Sequence, residues 1–132
     1  MEEKIRQSDL PTVAALAYLG DAVHSMDIRR RAVASGLSKS GTLHTFTAGV
    51  VNATAQAAML DAIESVLSDD ECELCRRAAN SKHLQHPKHA TDAVYRRATA
   101  FEALLGMLYH LGREERLRTI LDLSYQSLKG DQ

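Results

Sequence analysis

The sequence predicts an all-α protein, a compact bundle of about six or seven helices. Three observations carry this. Apolar residues recur with a helical rather than an alternating period along most of the chain. Trp is absent and Phe plus Tyr number only 6, so the core must be aliphatic, whereas sandwiches and barrels draw on aromatic and β-branched residues. Pro occurs only at 11 and 87, leaving long stretches without a breaker. At 132 residues the chain suits a single domain with one core, with no room for a second module.

Taken in order, Ser8 or Asp9 is placed to cap a first helix, with Pro11 in its first turn. Leu10, Val13, Leu16, Leu19, Val23 and Ile28 carry that helix, possibly broken once, up to Asp27. Arg29, Arg30 and Arg31 then suggest a solvated end that suits the helix dipole. Gly36 is a plausible stop. Ser40 begins a short helix through Leu43 and Phe46, and Gly49 punctuates it. The next helix is carried from Val50 and Val51 through Met59, Leu60 and Ile63 to Leu67. Ser68 caps an acidic first turn, Asp69-Asp70-Glu71, on a helix ending near Ala79. Residues 80–91 are polar, contain Pro87 and predict a loop. Thr91 or Asp92 caps a helix ending near Gly112. The last runs from Glu114 to Leu128, with Leu117, Ile120, Leu121, Leu123 and Leu128 on its apolar face. Met26, Met59, Met107 and Phe101 are expected in the core.

Formal net charge is −1, so the chain is no basic tail. Cys72 and Cys75, three apart on one helix, exclude a disulfide scaffold and fit a reducing compartment. The first eight residues lack a secretory h-region, and no apolar run approaches the ~20 residues that span a bilayer. A cytoplasmic protein is expected.

Two apolar runs each carry one acid: Leu16-Ala17-Tyr18-Leu19-Gly20-Asp21-Ala22-Val23 and Ala100-Phe101-Glu102-Ala103-Leu104-Leu105-Gly106. Neither acid has a Lys or Arg within a helical turn. An ionised carboxylate in a core costs several kcal/mol unless compensated. Either both reach the surface or something outside the chain neutralises them, with a shared divalent metal the leading candidate. Ala98, Glu102 and Gly106 stack at i, i+4, and Gly20 adjoins Asp21, so small residues would let two helices cross closely at the acids. Two acids on crossing helices are the minimum for a carboxylate metal site in a bundle, and oxygen-only ligands favour Mg²⁺ or Mn²⁺ over zinc.

Between Arg76 and Arg97 stand six Lys and Arg against Asp92 alone. Such a concentration of positive charge binds phosphate when it is not a merely solvated surface. His83, His86 and His89 lie within it, downstream of Cys72-x-x-Cys75, and together imitate a zinc ladder. The spacing is too short for a finger, and packing is the better account of the cysteines. His24 and His110, near the acidic runs, are read as structural rather than as acid–base groups.

The residues Ala17-Tyr18-Leu19-Gly20-Asp21-Ala22, His44, Val51-Asn52-Ala53, Gln56-Ala57, Arg77-Ala78-Ala79-Asn80-Ser81-Lys82, Tyr95-Arg96 and Phe101 to Gly106 resemble, in order and spacing, the ribonuclease III catalytic domain, and within it the short Mini-ribonuclease III branch. Full-length ribonuclease III has further acids where this chain has Ala17 and Thr99; the short branch is similar to this chain in lacking both. The resemblance therefore implies Asp21 and Glu102 as catalytic metal ligands, with Thr99 or water completing the site. It implies Mg²⁺-dependent hydrolysis of double-stranded RNA, with Mn²⁺ able to substitute, by a homodimer without a separate RNA-binding domain. It also implies maturation of 23S ribosomal RNA precursor, with a ribosomal protein as a possible presenter of the RNA. Asn80, Lys82, Lys88, Arg77 and Arg96 are the RNA-contacting candidates. The competing expectation is a decayed, non-catalytic RNA-binding module on the same fold.

Overall fold

The computed structural model describes residues 4–81 and 91–129. Among these stand six α-helices and no strand: α1 (Val13–Ala34), α2 (Ser40–Ala48), α3 (Ala53–Ile63), α4 (Asp69–Ala79), α5 (Asp92–His110) and α6 (Glu114–Ser127), with 3₁₀ turns at Gln7–Asp9 and Glu64–Val66. The organising element is α5. It packs most extensively against α1, then against α3 and α4, with α6 at its far end. From Ala103 to Leu108 every residue is buried, because a helix covered on all sides has no solvent face to keep polar.

Local chemistry explains most helix ends. The Thr12, Asn52 and Thr91 side chains accept hydrogen bonds from the backbone N–H groups of Ala15, Ala55 and Val94. Ser68 and Glu71 form a reciprocal capping box. Gly36 and Gly112 follow α1 and α5 at φ +95° and +71°, a conformation that a side chain disfavours. Glu71 is buried and does two tasks, since its carboxylate also accepts two hydrogen bonds from Arg116, at 2.7 and 2.9 Å. Burial alone would raise its pKa; the bonds from Arg116 and Ser68 outweigh it and hold the carboxyl below its usual range.

Several expectations need correction. The first helix begins at Val13, not at Ser8 or Asp9: Leu10 is extended (ψ 154°), and Pro11 precedes the cap Thr12. It then continues unbroken through Gly20 to Ala34. Lys39, not Ser40, is the N-cap of α2. Val50 and Val51 precede α3, which starts after Asn52, and its end tightens into the 3₁₀ turn before Leu67. Asp27 does not open a wet end. It is 7% exposed and accepts from Arg30 at 3.0 Å and Arg31 at 2.8 Å, while Arg31 reaches across to Asp122 on α6. Met26 is 68% exposed and so leaves the core, unlike Met59, Met107 and Phe101, which are sealed. On α6, Leu123 and Leu128 are surface residues, and Ile120 with Ser124 faces inward.

Candidate active site

The site forms where α1 crosses α5. At that point the two backbones touch. A methyl group at Gly20 would overlap the main-chain carbonyl of Glu102 and stand 3.0 Å from the Gly106 nitrogen. One at Gly106 would overlap the carbonyl of Leu16 and stand 3.1 Å from the Gly20 nitrogen. The two glycines thus face one another, and each acid is fixed beside the crossing, Asp21 next to Gly20 and Glu102 one turn before Gly106.

The crossing brings the carboxyl groups close enough for Asp21 to act on Glu102. Asp21 is at the surface and Glu102 lies half-buried behind it. Burial, then the hydrogen bond and charge of Asp21, push Glu102 up to about 8, with Gln56 pulling slightly the other way. Raised this far, Glu102 keeps its proton at neutral pH when no cation is bound.

Behind the acids runs a buried polar chain. The Gln56 amide nitrogen on α3 lies 3.1 Å from His24 Nδ1 and 3.5 Å from Glu102 Oε2. Burial lowers His24 to about 4 against the opposing pull of Asp27 and Asp21, so the ring is neutral at pH 7. Its edge meets the Phe101 ring at 5.1 Å. His24 therefore has the structural place expected of it, and His110 is exposed at the end of α5. Gln56 stood in the sequence as part of a motif without a role; a Gln on an otherwise apolar helix face was the only signal.

A family model described as "Ribonuclease III domain" matches residues 14–113. The chain is 38% identical to a Mini-ribonuclease 3 from Brevibacillus brevis over 98% of its own length and 97% of the relative's. It is 44% identical to a Mini-ribonuclease 3 from Thermoanaerobacter over 86% and 80%. The chain belongs to the ribonuclease III family, in its Mini-ribonuclease III branch. Membership places it among ribonucleases, a class of hydrolase. A crystal structure of a Fusobacterium nucleatum protein superposes with a TM-score of 0.82 at 29% identity, covering 97% of this chain and all of that one.

The residues present fit the divalent ion that ribonuclease III enzymes use. Two all-oxygen side chains meet, and the proton that Glu102 otherwise keeps is what a cation would displace. Among the described residues no group of three or more His, Cys, Asp or Glu gathers anywhere, so Asp21 and Glu102 are the acids available. Thr99 is buried one turn before Glu102.

For a ribonuclease III family member, the basic stretch is more internally committed than its sequence suggests. Arg97 pairs with Asp61 and Glu64, and Arg76 with Glu73. Arg77 donates to the Gln7 side chain at 3.0 Å. Arg96 pairs with Asp92 and donates to the carbonyls of Ala79 and Ser81 at 2.7 and 3.1 Å, tying the end of α4 to the start of α5. Asn80 is exposed at the C-cap of α4. Lys82, Lys88, His83, His86 and His89 lie outside the described residues. Cys75 turns into the core, its thiol pushed up to about 12 chiefly by burial, while Cys72 is exposed. The packing account thus holds for Cys75.

Proposed function

We propose that this protein is a divalent-metal-dependent endoribonuclease that cuts double-stranded RNA, with Asp21 and Glu102 as its catalytic metal ligands. The observation that carries this is the glycine-to-glycine helix crossing, which sets the Asp21 and Glu102 carboxyl groups beside one another. Asp21 and Glu102 would hold Mg²⁺, or Mn²⁺ in its place, with Thr99 or water beside them. When bound, the ion supplies a Lewis acid for the scissile phosphodiester. The chain's own contribution is to fix two oxygen donors on rigid helices and to keep Glu102 partly sheltered from water, where electrostatic interactions are stronger.

Arg77, Asn80, Lys82, Lys88 and Arg96 are proposed to contact the duplex backbone. A-form RNA is recognised through phosphates and 2′-hydroxyls, which suits that donor set. We further propose, as the family resemblance implies, a single catalytic domain acting on structured ribosomal RNA, specifically 23S precursor, with a ribosomal protein presenting it. A homodimer is supported by the unpartnered outer face of α1. Tyr18 is 85% and Met26 68% exposed, beside an apolar groove of about 380 Å³ lined by Leu19, Val23, Leu117 and Leu121. No helix among the described residues is long and apolar enough to cross a membrane, which is compatible with work in the cytoplasm.

Cleavage of duplex RNA in Mg²⁺, by wild type and by Asp21→Asn, tests the reading. Wild type cuts, and the variant binds RNA without cutting. The absence of a third metal-ligating acid among the described residues favours one alternative, a non-catalytic RNA-binding module. RNA binding without metal-dependent cutting by wild type would establish it.

A further inference from the structure

Gln56 is a polar side chain sealed in the interior, 4% exposed, on the face of α3 that otherwise buries Ala57, Met59, Leu60 and Ile63. Burying an amide costs free energy unless its hydrogen bonds are made. Its presence is explained by the two groups it meets. The amide nitrogen lies 3.1 Å from His24 Nδ1 and 3.5 Å from Glu102 Oε2. That nitrogen carries two N–H groups and accepts nothing. Both contacts are therefore donations, one hydrogen to each. In this amide orientation His24 Nδ1 is bare and the ring proton sits on Nε2. The ring is held edge-on by Phe101, the residue preceding Glu102, so the chain of contacts returns to the backbone that carries the acid.

We propose that Gln56 is a positioning residue: oriented by His24, its amide holds the Glu102 carboxylate in the rotamer that faces Asp21. A free Glu side chain samples several rotamers, and each must be given up to build a site. With only two acids to hold an ion, the placement of either matters more than in a four-acid cluster. Side chains that orient metal ligands in this way typically change metal affinity or activity 10–100-fold when removed. The inference rests on the metal-ligand reading of Glu102 given above.

The test is Mn²⁺ binding by titration calorimetry on the full chain, without RNA, for wild type and Gln56→Met, which keeps the length and removes both N–H groups. Binding about 10–100-fold weaker in a variant that still unfolds cooperatively is expected. Duplex cleavage should fall in kcat more than in KM. A folded Gln56→Met with wild-type Mn²⁺ affinity and cleavage overturns the proposal and leaves the nuclease reading standing. Failure of wild type to bind Mn²⁺ overturns both. Should Gln56→Met not fold, the ¹⁵N shifts of His24 in the wild-type protein decide: a bare Nδ1 with Nε2–H supports the proposal, and a proton on Nδ1 overturns it.

Discussion

Gly20 of α1 lies against the main-chain carbonyl of Glu102 on α5, with no space between them for a methyl group. The position of one acid is thereby tied to the absence of a side chain beside the other. Gly20→Ala should destabilise the protein by about 3 kcal/mol or more, since overpacking costs ~1–3 kcal/mol where flexible side chains can give way and here a backbone would have to move. The ~1 kcal/mol gained in helix propensity does not offset this. Urea unfolding measures it, and any folded fraction should have lost its cleavage activity.

The Glu102 proton gives a pH signature to the metal-free protein. Glu102 is raised to about 8 by burial and by Asp21. Between the ordinary carboxyl value and that pH, the folded state binds the proton and the unfolded chain does not. Stability should therefore be fully retained at acid pH and decline as pH rises towards about 8, by a total of roughly 5 kcal/mol. Glu102→Gln should flatten the decline. Thermal unfolding in a chelator across pH 5–9 checks both, and added Mg²⁺ should flatten the wild-type curve as well.

Arg96 is bound to Asp92 and to two carbonyls at the end of α4, so its removal has a structural cost. Arg96→Ala is expected to lose about 1–3 kcal/mol of stability as well as RNA affinity. Lys88→Ala should reduce the slope of log K against log salt by about 0.9. Filter binding over a salt series, paired with urea melts, separates the two.

The apolar outer face of α1 predicts that Tyr18→Asp with Met26→Glu yields a folded monomer in place of a dimer. Both side chains already face solvent within one chain, so neither substitution disturbs its core. Sedimentation equilibrium gives the mass, and circular dichroism confirms the helices.

How much of this could be read in advance differs residue by residue. The Ser68 cap with its acidic turn and Gly112 after α5 were legible because each depends on neighbours within one helical turn. The start of α1 was misplaced because Ser8, Asp9 and Thr12 all carry capping chemistry, and only packing chooses among them. Asp27 and Arg31 resembled a solvated helix end; Asp122, 91 residues beyond Arg31, joins them in an ion-pair network between α1 and α6. Gln56 was visible as a motif residue but gained a role only when α3 came to lie beside α1 and α5.

The sequence by itself determined the helical class, the aliphatic core and the two acids beside small residues, since these follow from composition and from a period of 3.6. Only the tertiary structure decided that Gly20 and Gly106 meet, that Asp21 acts on Glu102, and that much of the basic stretch is already paired. Charge along the chain is a sum over neighbours in sequence. Electrostatic interaction instead falls off with distance in space, and folding brought Asp61 and Glu64 to Arg97 from more than 30 residues away.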